Sequence, residues 1–146
     1  VEEQLDGMVR RGLISARQRD AVSAQGILEF FRHPLGTRLR RAEKKEREFD
    51  FYMEIPAGEV TDGLPEADRD ERILLQGIAD CFFYEGDGVV LIDYKTDRIT
   101  AEEAPARAER YRMQMEYYTR GLREILGCPI RERYLYFLHC GQAVAL

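Results

Sequence analysis

The hydrophobic and polar positions in the first third of the chain follow the spacing of helices. Ser15 and Gln18 stand three residues apart beside "ARQRDAV", which is the spacing of a capping box. The apolar run "GILEFFRH" stops at Pro34, and the basic run that follows predicts a further helix over about 36–47. The first 48 residues are therefore predicted to be helical.

The hydrophobic period changes to that of a strand at residue 48. In "EFDFYMEI" (48–55) every second side chain is apolar, so one face of a strand is predicted to be buried. The polar run over 56–71 predicts a loop. Two apolar runs, "RILLQGIADCFFYE" and "GVVLIDYKTD", flank Gly86 and Asp87 and predict a β-hairpin. The apolar positions on the buried face of the first strand are Phe49, Phe51, Met53 and Ile55.

The rest of the chain predicts a helix and a closing strand. The helix is predicted over about 102–126 and ends at Gly127, and "RERYLYFLHC" (131–140) has the composition of a strand. A helix of this length can cross the sheet, so the last strand is expected to lie parallel to an inner one. This order of elements predicts an α/β fold with helices flanking a mixed central sheet. The length of 146 residues is that of one domain.

The hairpin register predicts where two acidic side chains meet. If the hairpin turns evenly about Gly86 and Asp87, Asp80 lies directly opposite Asp93, with Cβ atoms about 5 Å apart. Side chains alternate along a strand, so Asp93 and Lys95 are expected on one face. Facing carboxylates repel each other and lose solvation, and a cation is expected to compensate them. Carboxylates without a Cys or His cluster favour Mg²⁺ or Mn²⁺ over zinc.

A purely structural interpretation of the same residues stays open. In that interpretation Asp93 and Lys95 are solvated at the frayed end of an exposed hairpin, and Asp80 bonds to a neighbouring amide. Both interpretations place Ile92 and Tyr94 on the opposite face of their strand.

Charge and cysteine content narrow the function classes. There are 22 basic and 27 acidic residues and the net charge is −5, which argues against binding of nucleic acid by bulk charge. The basic run at 38–47, and the arginines at 107, 110 and 112, are by themselves typical of solvated helix faces. Three cysteines without CxxC spacing predict no disulfide framework and favour a cytoplasmic protein.

No signal peptide and no apolar run near 18 residues is found, so no membrane association is expected. The chain begins without methionine and is expected to be an excised part of a longer protein.

The combination of three motifs resembles a known family. Gly77-x-x-Asp80, then "IDYKTD", then "YRMQMEYY" are similar in type and order to the motifs of the PD-(D/E)xK nuclease superfamily, RecB-like branch. From about residue 27 onward, the order of segments also resembles the nuclease domain of AddA-type helicase-nucleases. The resemblance implies a restriction-endonuclease-like core within a single RecB-like domain, with a helical part (1–48) and a catalytic core (49–146).

The resemblance also implies roles for individual residues. Gln114 and Tyr118 match a Q-x-x-x-Y motif and share one helix face with Tyr111. Without the resemblance, amphipathic packing is the favoured interpretation of these three residues. The implied catalytic residues are Asp80, Asp93 and Lys95. The implied metal ligands for Mg²⁺ or Mn²⁺ are Asp80, Asp93 and the main-chain carbonyl of Tyr94. The implied substrate-binding residues are Gln114, Tyr118, Tyr111 and Arg110.

Other polar residues receive weaker interpretations. Many family members have a further His or acidic residue on an upstream helix, which would precede Val1, so this stretch is expected to lack it and activity of the stretch by itself is left open. His33 is not assigned to that role, because a satisfied or exposed histidine is the favoured interpretation. Glu48 is a weak candidate for a peripheral contact, and His139 and Cys140 are expected to be packing residues of the last strand.

The implied activity is Mg²⁺-dependent hydrolysis of DNA phosphodiesters by an exonuclease-type domain, within a bacterial helicase-nuclease that acts in double-strand break repair and recombination. The implied partners are DNA and a second subunit of the complex, and ATP would bind only to helicase domains outside this chain. A nuclease-like module that docks a DNA end or a subunit without cleavage is the alternative. A structural domain with a solvated acidic hairpin is a third.

Overall fold

The computed structural model describes residues 1–61 and 63–146. Four short helices precede a sheet, and two more helices lie between its third and fourth strands. Short 3₁₀ turns occur at Ala57–Glu59, Glu66–Asp68 and Glu109–Tyr111. The helices are α1 (Glu2–Arg10), α2 (Ala16–Ala21), α3 (Ala24–Arg32), α4 (Pro34–Arg41), α5 (Ala104–Ala108) and α6 (Arg112–Leu126). The strands are β1 (Lys45–Pro56), β2 (Arg72–Glu85), β3 (Gly88–Lys95), β4 (Ile130–Phe137) and β5 (Gln142–Ala145).

The five strands form one mixed sheet in the order β1-β2-β3-β4-β5. The β3–β4 pair is parallel and the other pairs are antiparallel. Because α6 connects β3 to its parallel neighbour, the predicted crossover is confirmed. The α/β class with a mixed sheet and flanking helices is also confirmed, and it is compatible with a restriction-endonuclease-like core.

Each face of the sheet is covered by a different pair of helices. Val89 and Leu91 of β3 pack with side chains of α5 and α6, whereas Val90 and Ile92 pack with α3 and α4. This alternation follows from the period of two in a strand, because β3 is apolar on both faces. The sheet is therefore the middle of three layers.

The helical prediction for 1–48 is partly right. The capping box of Ser15 and Gln18 forms, with the Gln18 amide 3.2 Å from Ser15 Oγ. The predicted helix over 36–47 is wrong at its end, because α4 stops at Arg41 and β1 starts at Lys45. Lys45 Nζ lies 3.2 Å from each of the carbonyl oxygens of Leu39 and Arg40, so part of the basic run closes the helix instead of extending it.

Two further boundaries differ from the prediction. The helix predicted over 102–126 is interrupted by the turn Glu109–Tyr111. The strand predicted over 131–140 ends at Phe137, and a turn then leads into β5. Gly141, at φ 67°, closes that turn with its amide 2.9 Å from the Phe137 carbonyl. His139 is exposed in the turn, so its assignment to strand packing is wrong, whereas Cys140 is half-buried.

The remaining strand and loop predictions are confirmed. Phe51, Met53 and Ile55 are buried on one face of β1 and Phe49 is half-buried there. Residues 57–71 connect β1 to β2, with short turns among the described residues, and residue 62 lies outside the described residues; the predicted loop began one residue earlier, at Pro56, which is the last residue of β1. The hairpin has the predicted register, from Glu85↔Gly88 to Cys81↔Ile92. Gly86 carries the positive φ of the turn, at 61°.

In both β1 and β2, the side chains exchange faces of the sheet at one position, and these two positions lie opposite each other. In β2, Ala79 and Phe82 share the cluster under α6 although they are three residues apart, while Cys81 packs under α3. In a regular strand Ala79 and Phe82 would lie on opposite faces, so β2 reverses its faces at Asp80. In β1 the reversal falls at Glu48, at φ 48°. We call the positions of Glu48 and Asp80 the face reversal.

No helix within residues 1–61 or 63–146 is both long and apolar enough to span a bilayer. All three cysteines lie in the described part of the chain and are free.

Candidate metal and nucleic-acid site

The ladder of backbone hydrogen bonds between β2 and β3 ends at the residue next to Asp80, and the Asp80 side chain extends toward β3. The last pair is Cys81↔Ile92, and at the next position the Tyr94 amide donates to Asp80 Oδ2 over 2.8 Å. The carboxylate thus replaces a backbone acceptor at the face reversal. The structural interpretation was right that Asp80 bonds a neighbouring amide. Its other statement, a solvated Asp93, is wrong, since Asp93 is 2% exposed.

Asp93 is the buried carboxylate of the site. Burial raises the pKa of its carboxyl, the positive charge of Lys95 opposes that shift, and the negative charge of Asp80 adds to it. The predicted pair of Asp80 and Asp93 lies one position beyond Cys81↔Ile92, the last pair of the ladder. Within the described residues, Asp93 is the one buried polar or charged side chain.

Lys95 lies on the same face of β3 as Asp93. Its Nζ is 2.5 Å from Asp93 Oδ2 and 3.0 Å from Gln114 Oε1. Gln114 Nε2 also contacts Asp93 Oδ1, at 3.4 Å. Ile92 and Tyr94 pack on the opposite face with α3 and α4, so the predicted alternation is confirmed. The start of α6 thereby places one amide side chain across the acid and the lysine.

Tyr111 and Asp97 extend this cluster. The ring centre of Tyr111 lies 4.0 Å from Lys95 Nζ, and the Tyr111 hydroxyl donates to both carboxylate oxygens of Asp97, over 2.9 and 3.1 Å. Arg107 Nη1 is 3.5 Å from Asp97 Oδ1. Asp97 was not assigned from the sequence. The available signal was its position two residues after Lys95, in the run "DYKTD".

The other two predicted substrate-binding residues lie further from this cluster. Tyr118 is half-buried, and its ring meets Phe51 edge to face at 5.3 Å. Arg110 is exposed in the turn before α6. The structure therefore brings together Asp80, Asp93, Lys95, Gln114 and Tyr111, and leaves Tyr118 and Arg110 outside.

Two residues with weaker interpretations are also placed by the structure. His33 caps α4, because its Nδ1 accepts from the Leu35 amide over 3.1 Å, which confirms a satisfied histidine. Glu48 lies opposite Asp80 in the β1–β2 register, between the pairs Arg47↔Cys81 and Phe49↔Ala79. Its side chain is exposed.

The donor set is compatible with a hard cation. Asp93 Oδ2 is buried and has no hydrogen-bond donor aligned to it, although Lys95 Nζ is in ionic contact. The Lys95 ammonium already compensates the charge of this oxygen, so the compatibility with a hard cation rests on the carboxylate and carbonyl oxygens, which are the ligands that Mg²⁺ and Mn²⁺ prefer. Asp80 Oδ2 and the Tyr94 main chain are adjacent through one hydrogen bond. Within residues 1–61 and 63–146, no group of three or more His, Cys, Asp or Glu side chains has the arrangement of a metal site.

An open groove lies beside the end of β3. Its volume is about 660 Å³ and its lining comes from the start of α3, the segment after Lys95 and the β4–β5 turn. Polar lining residues are Ser23, Gln25, Glu29, Thr96, Arg98 and His139. The rest of its lining is apolar, and none of Asp80, Asp93, Lys95 and Asp97 lines it.

Comparison with known proteins gives one consistent result. The chain is 38% identical over 146 residues to the A subunit of the ATP-dependent helicase/nuclease from Clostridium acetobutylicum, and 40% identical over 146 residues to its counterpart from Alkaliphilus oremlandii. Each match covers 100% of this chain and 12% of the relative. The counterpart from Acetivibrio thermocellus is 38% identical over 143 residues, with 97% of this chain and 11% of the relative covered. No family profile matches the chain.

These relatives confirm the resemblance to AddA-type helicase-nucleases, while the PD-(D/E)xK assignment stays a prediction. The chain spans only 12% of the length of the first relatives that it matches. It is thus homologous, along its whole length, to one segment of the A subunits of ATP-dependent helicase/nucleases.

Proposed function

We propose that this chain is a metal-dependent DNA nuclease domain that hydrolyses phosphodiesters in an exonuclease-type reaction. The observation that carries the proposal is the placement of Asp80, Asp93 and Lys95 at neighbouring positions of β2 and β3, where Asp93 is buried and ion-paired with Lys95 and the Asp80 carboxylate accepts from the Tyr94 amide. A solvated structural hairpin would not bury the Asp93 carboxylate. The full-length similarity to a segment of helicase/nuclease subunits supports the same activity.

Asp80, Asp93 and the main-chain carbonyl of Tyr94 would hold Mg²⁺ or Mn²⁺, because all three offer hard oxygen donors. When bound, the metal supplies Lewis-acid stabilisation of phosphate charge and lowers the pKa of an attacking water. Lys95 presents an ammonium beside Asp93, where it can donate to a phosphate oxygen and stabilise negative charge as it develops. Gln114 fixes the distance between that acid and the lysine.

Substrate contacts in this proposal are made to the DNA backbone and not to the bases. Arg110 is exposed in the turn before α6, and Arg98 lines the groove beside β3. Guanidinium groups at such positions bind phosphates and position the strand without reading its sequence. Tyr118, which packs on Phe51, would order α6 at the edge of the site.

The wider context is part of the same proposal. The relatives are named as ATP-dependent helicase/nuclease subunits, so a domain of a bacterial helicase-nuclease acting in double-strand break repair and recombination fits this chain. A second subunit would then be a partner. ATP would bind elsewhere in the longer protein.

A melting experiment tests the metal site without depending on cleavage. Mg²⁺ or Mn²⁺ is expected to raise the melting temperature of the wild type and of Asp50→Asn, an exposed acid on β1. The metal is not expected to stabilise Asp80→Asn, because asparagine can still accept from the Tyr94 amide but carries no charge. Equal stabilisation of Asp80→Asn and the wild type would contradict the metal site.

A cleavage assay separates a nuclease from a docking module. Wild-type protein is expected to degrade end-labelled single-stranded DNA with Mg²⁺ or Mn²⁺, and Lys95→Ala and Asp80→Asn are expected to lose this activity. Degradation at the wild-type rate by Lys95→Ala, in a preparation free of other nucleases, would rule out catalysis by this site. Metal stabilisation without cleavage by the wild type would favour the docking module.

A further inference from the structure

The ammonium of Lys95 is held by three groups of its own chain. Its Nζ lies 2.5 Å from Asp93 Oδ2, 3.0 Å from Gln114 Oε1 and 4.0 Å from the ring centre of Tyr111. The lysine side chain is only 12% exposed. A cation is attracted to the face of an aromatic ring, and more strongly where water is excluded. The position of the ammonium therefore depends on where the Tyr111 ring is held.

The Tyr111 ring is in turn held by Asp97. The tyrosine hydroxyl lies 2.9 and 3.1 Å from the two carboxylate oxygens, and Arg107 balances the charge of Asp97 from 3.5 Å. Burial, and then the hydrogen bond to Asp97, raise the pKa of Tyr111, so its hydroxyl keeps the proton that it donates. The turn Glu109–Tyr111 brings this side chain to Asp97 and Lys95.

We propose that Asp97 and Tyr111 are positioning residues that aim Lys95 at the reacting phosphate. The effect of this positioning on catalysis rests on the function proposed above, but the contact between Tyr111 and Lys95 does not. The Tyr111 hydroxyl is engaged by Asp97 and its ring is in contact with Lys95. Tyr111 therefore acts on Lys95 and does not grip the DNA strand, which differs from the role that the family resemblance implies. Arg107 supports Asp97 and is correspondingly less free to bind a phosphate.

Lysine signals in an NMR spectrum test the contact directly. The chain has three lysines, at positions 44, 45 and 95, so ¹³C labelling at lysine Cε gives three signals, which Lys→Arg variants assign. Ring currents shield protons above an aromatic face. Lys44 Nζ lies 4.1 Å from the Tyr84 ring centre, whereas Lys45 bonds carbonyl oxygens. The ε protons of Lys44 and Lys95 are therefore expected upfield of those of Lys45.

Three variants separate the ring from its support. Tyr111→Leu removes the ring and is expected to move the Lys95 signal downfield to the region of Lys45. Tyr111→Phe keeps the ring without its hydrogen bond, and Asp97→Ala removes the acceptor, so both are expected to move the signal part of the way. An upfield Lys44 signal in each variant reports that the fold is intact.

Tyr117→Leu is the matched control. Tyr117 lies on α6, beyond the turn that holds Tyr111, and its hydroxyl is 3.3 Å from the Glu59 carbonyl, so this variant is expected to leave the Lys95 signal unchanged. A Lys95 signal that is not upfield in the wild type, or that does not respond to Tyr111→Leu, would overturn the proposal. So would a Lys95 signal that is unchanged in Asp97→Ala.

Kinetics test the catalytic consequence. Tyr111→Leu is expected to lower kcat on single-stranded DNA about tenfold, with KM changed by less than about twofold, because the lost contact acts through Lys95. A raised KM at unchanged kcat would show that Tyr111 grips DNA and would overturn the positioning role. If the wild type does not cleave DNA, the proposed function fails, and the lysine signals still decide the positioning.

Discussion

At the scale of single residues, the glycine of the Gly77-x-x-Asp80 motif has a packing role. A Cβ at Gly77 would lie 2.3 Å from the Phe51 ring, and a Cβ at Gly121 of α6 would lie 2.6 Å from the same ring. Phe51 is 1% exposed. The Phe51 ring therefore fills the space that both glycines leave. It packs β1 and β2 against α6 at Gly77, which is three residues before Asp80.

Gly77→Ala is expected to lower the free energy of unfolding by about 1–3 kcal/mol, because the buried Phe51 ring must move. Denaturant titration measures this. Gly7→Ala is the control, since a Cβ there meets nothing nearer than an Arg10 nitrogen at 3.6 Å and alanine favours a helix interior. That variant is expected to be neutral or more stable by up to about 1 kcal/mol. Equal effects of both changes would show that Phe51 does not constrain Gly77.

Glu48 carries the strain of the face reversal. Its φ of 48° is in the left-handed region, which an L residue with a side chain occupies at a cost of about 1–2 kcal/mol. Glu48→Gly is therefore expected to stabilise the fold by about 1 kcal/mol, whereas Glu48→Ala keeps the strain.

Asp50→Gly, at a regular exposed position of the same strand, provides the comparison for Glu48→Gly. It is expected to lower stability by up to about 1 kcal/mol, because glycine weakens a strand. Thermal or denaturant unfolding of the three variants checks the order. A loss of stability in Glu48→Gly as large as that in Asp50→Gly would contradict strain at Glu48.

At the scale of elements, Arg38 joins α4 to two strands. Its guanidinium lies 2.5 and 3.2 Å from the Glu85 carboxylate of β2, and 2.7 and 2.9 Å from the Glu132 carboxylate of β4. Tyr134 also donates to Glu132, over 2.6 Å. These hydrogen bonds, those from Arg38 first, lower the pKa of Glu132 from 4.5 to about 2.

The lowered pKa predicts a pH window for this contact. A carboxyl with a folded pKa below its ordinary value stabilises the fold above the ordinary pKa, and the contribution is lost as pH falls from 4.5 to about 2. Because the pair is partly exposed, Glu132→Gln is expected to cost no more than about 1 kcal/mol near neutral pH. The difference from wild type should vanish near pH 2, as measured by urea titrations across pH.

Glu54→Gln, an exposed acid on β1, is the control for Glu132→Gln. It is expected to leave the stability of the wild type unchanged near neutral pH. A destabilisation by Glu132→Gln that stays the same from neutral pH to pH 2 would show that the ionised pair with Arg38 is not its cause.

Elements whose signals are local were predicted from the sequence. The hairpin register follows from turn residues at Gly86 and Asp87 and from two flanking apolar runs. The proximity of Asp80, Asp93 and Lys95 could therefore be predicted from the sequence. The break at Glu109–Tyr111 was not predicted, because no glycine or proline marks it in the sequence. The end of α4 was not predicted, because the basic run is typical of a helix, whereas the pairing of Lys45 with Phe83 that starts β1 is a contact between residues distant in sequence.

The site was predictable where a motif and a strand period coincide. The role of Asp97 was not, because it requires knowing that α5 and the following turn fold back over the end of β3. The face reversal was also hidden. An alternating pattern gives the face of a strand only while the strand stays regular, and both β1 and β2 lose that regularity at one point.

At the scale of the whole molecule, the net charge of −5 means that the DNA binding proposed above would have to be local. The arginines around the start of α6 differ in how free they are. Arg112 is bound to the carboxylate of Glu109 through two contacts, at 2.6 and 2.8 Å, and Arg107 is near Asp97. Arg110 is exposed between them. We therefore expect Arg110 to make the larger contribution to phosphate binding.

Salt dependence measures that difference. Arg110→Ala is expected to reduce the slope of log K against log salt for single-stranded DNA by about 0.7, the value for one phosphate contact. Arg112→Ala is expected to change it less, because its charge is already compensated. Fluorescence anisotropy without divalent metal, over a range of KCl concentrations, gives both slopes. Equal slopes for the two variants would contradict a local contact at Arg110.

The face reversal has a consequence for which amino-acid substitutions this sheet can tolerate. Asp80 stands where β2 passes from one hydrophobic layer to the other, and the Tyr94 amide fixes its carboxylate. Side chains in either layer can be exchanged for others of similar volume without displacing that carboxylate, because the course of the main chain sets its place. Substitutions in either hydrophobic layer are therefore expected to leave the position of the Asp80 carboxylate unchanged.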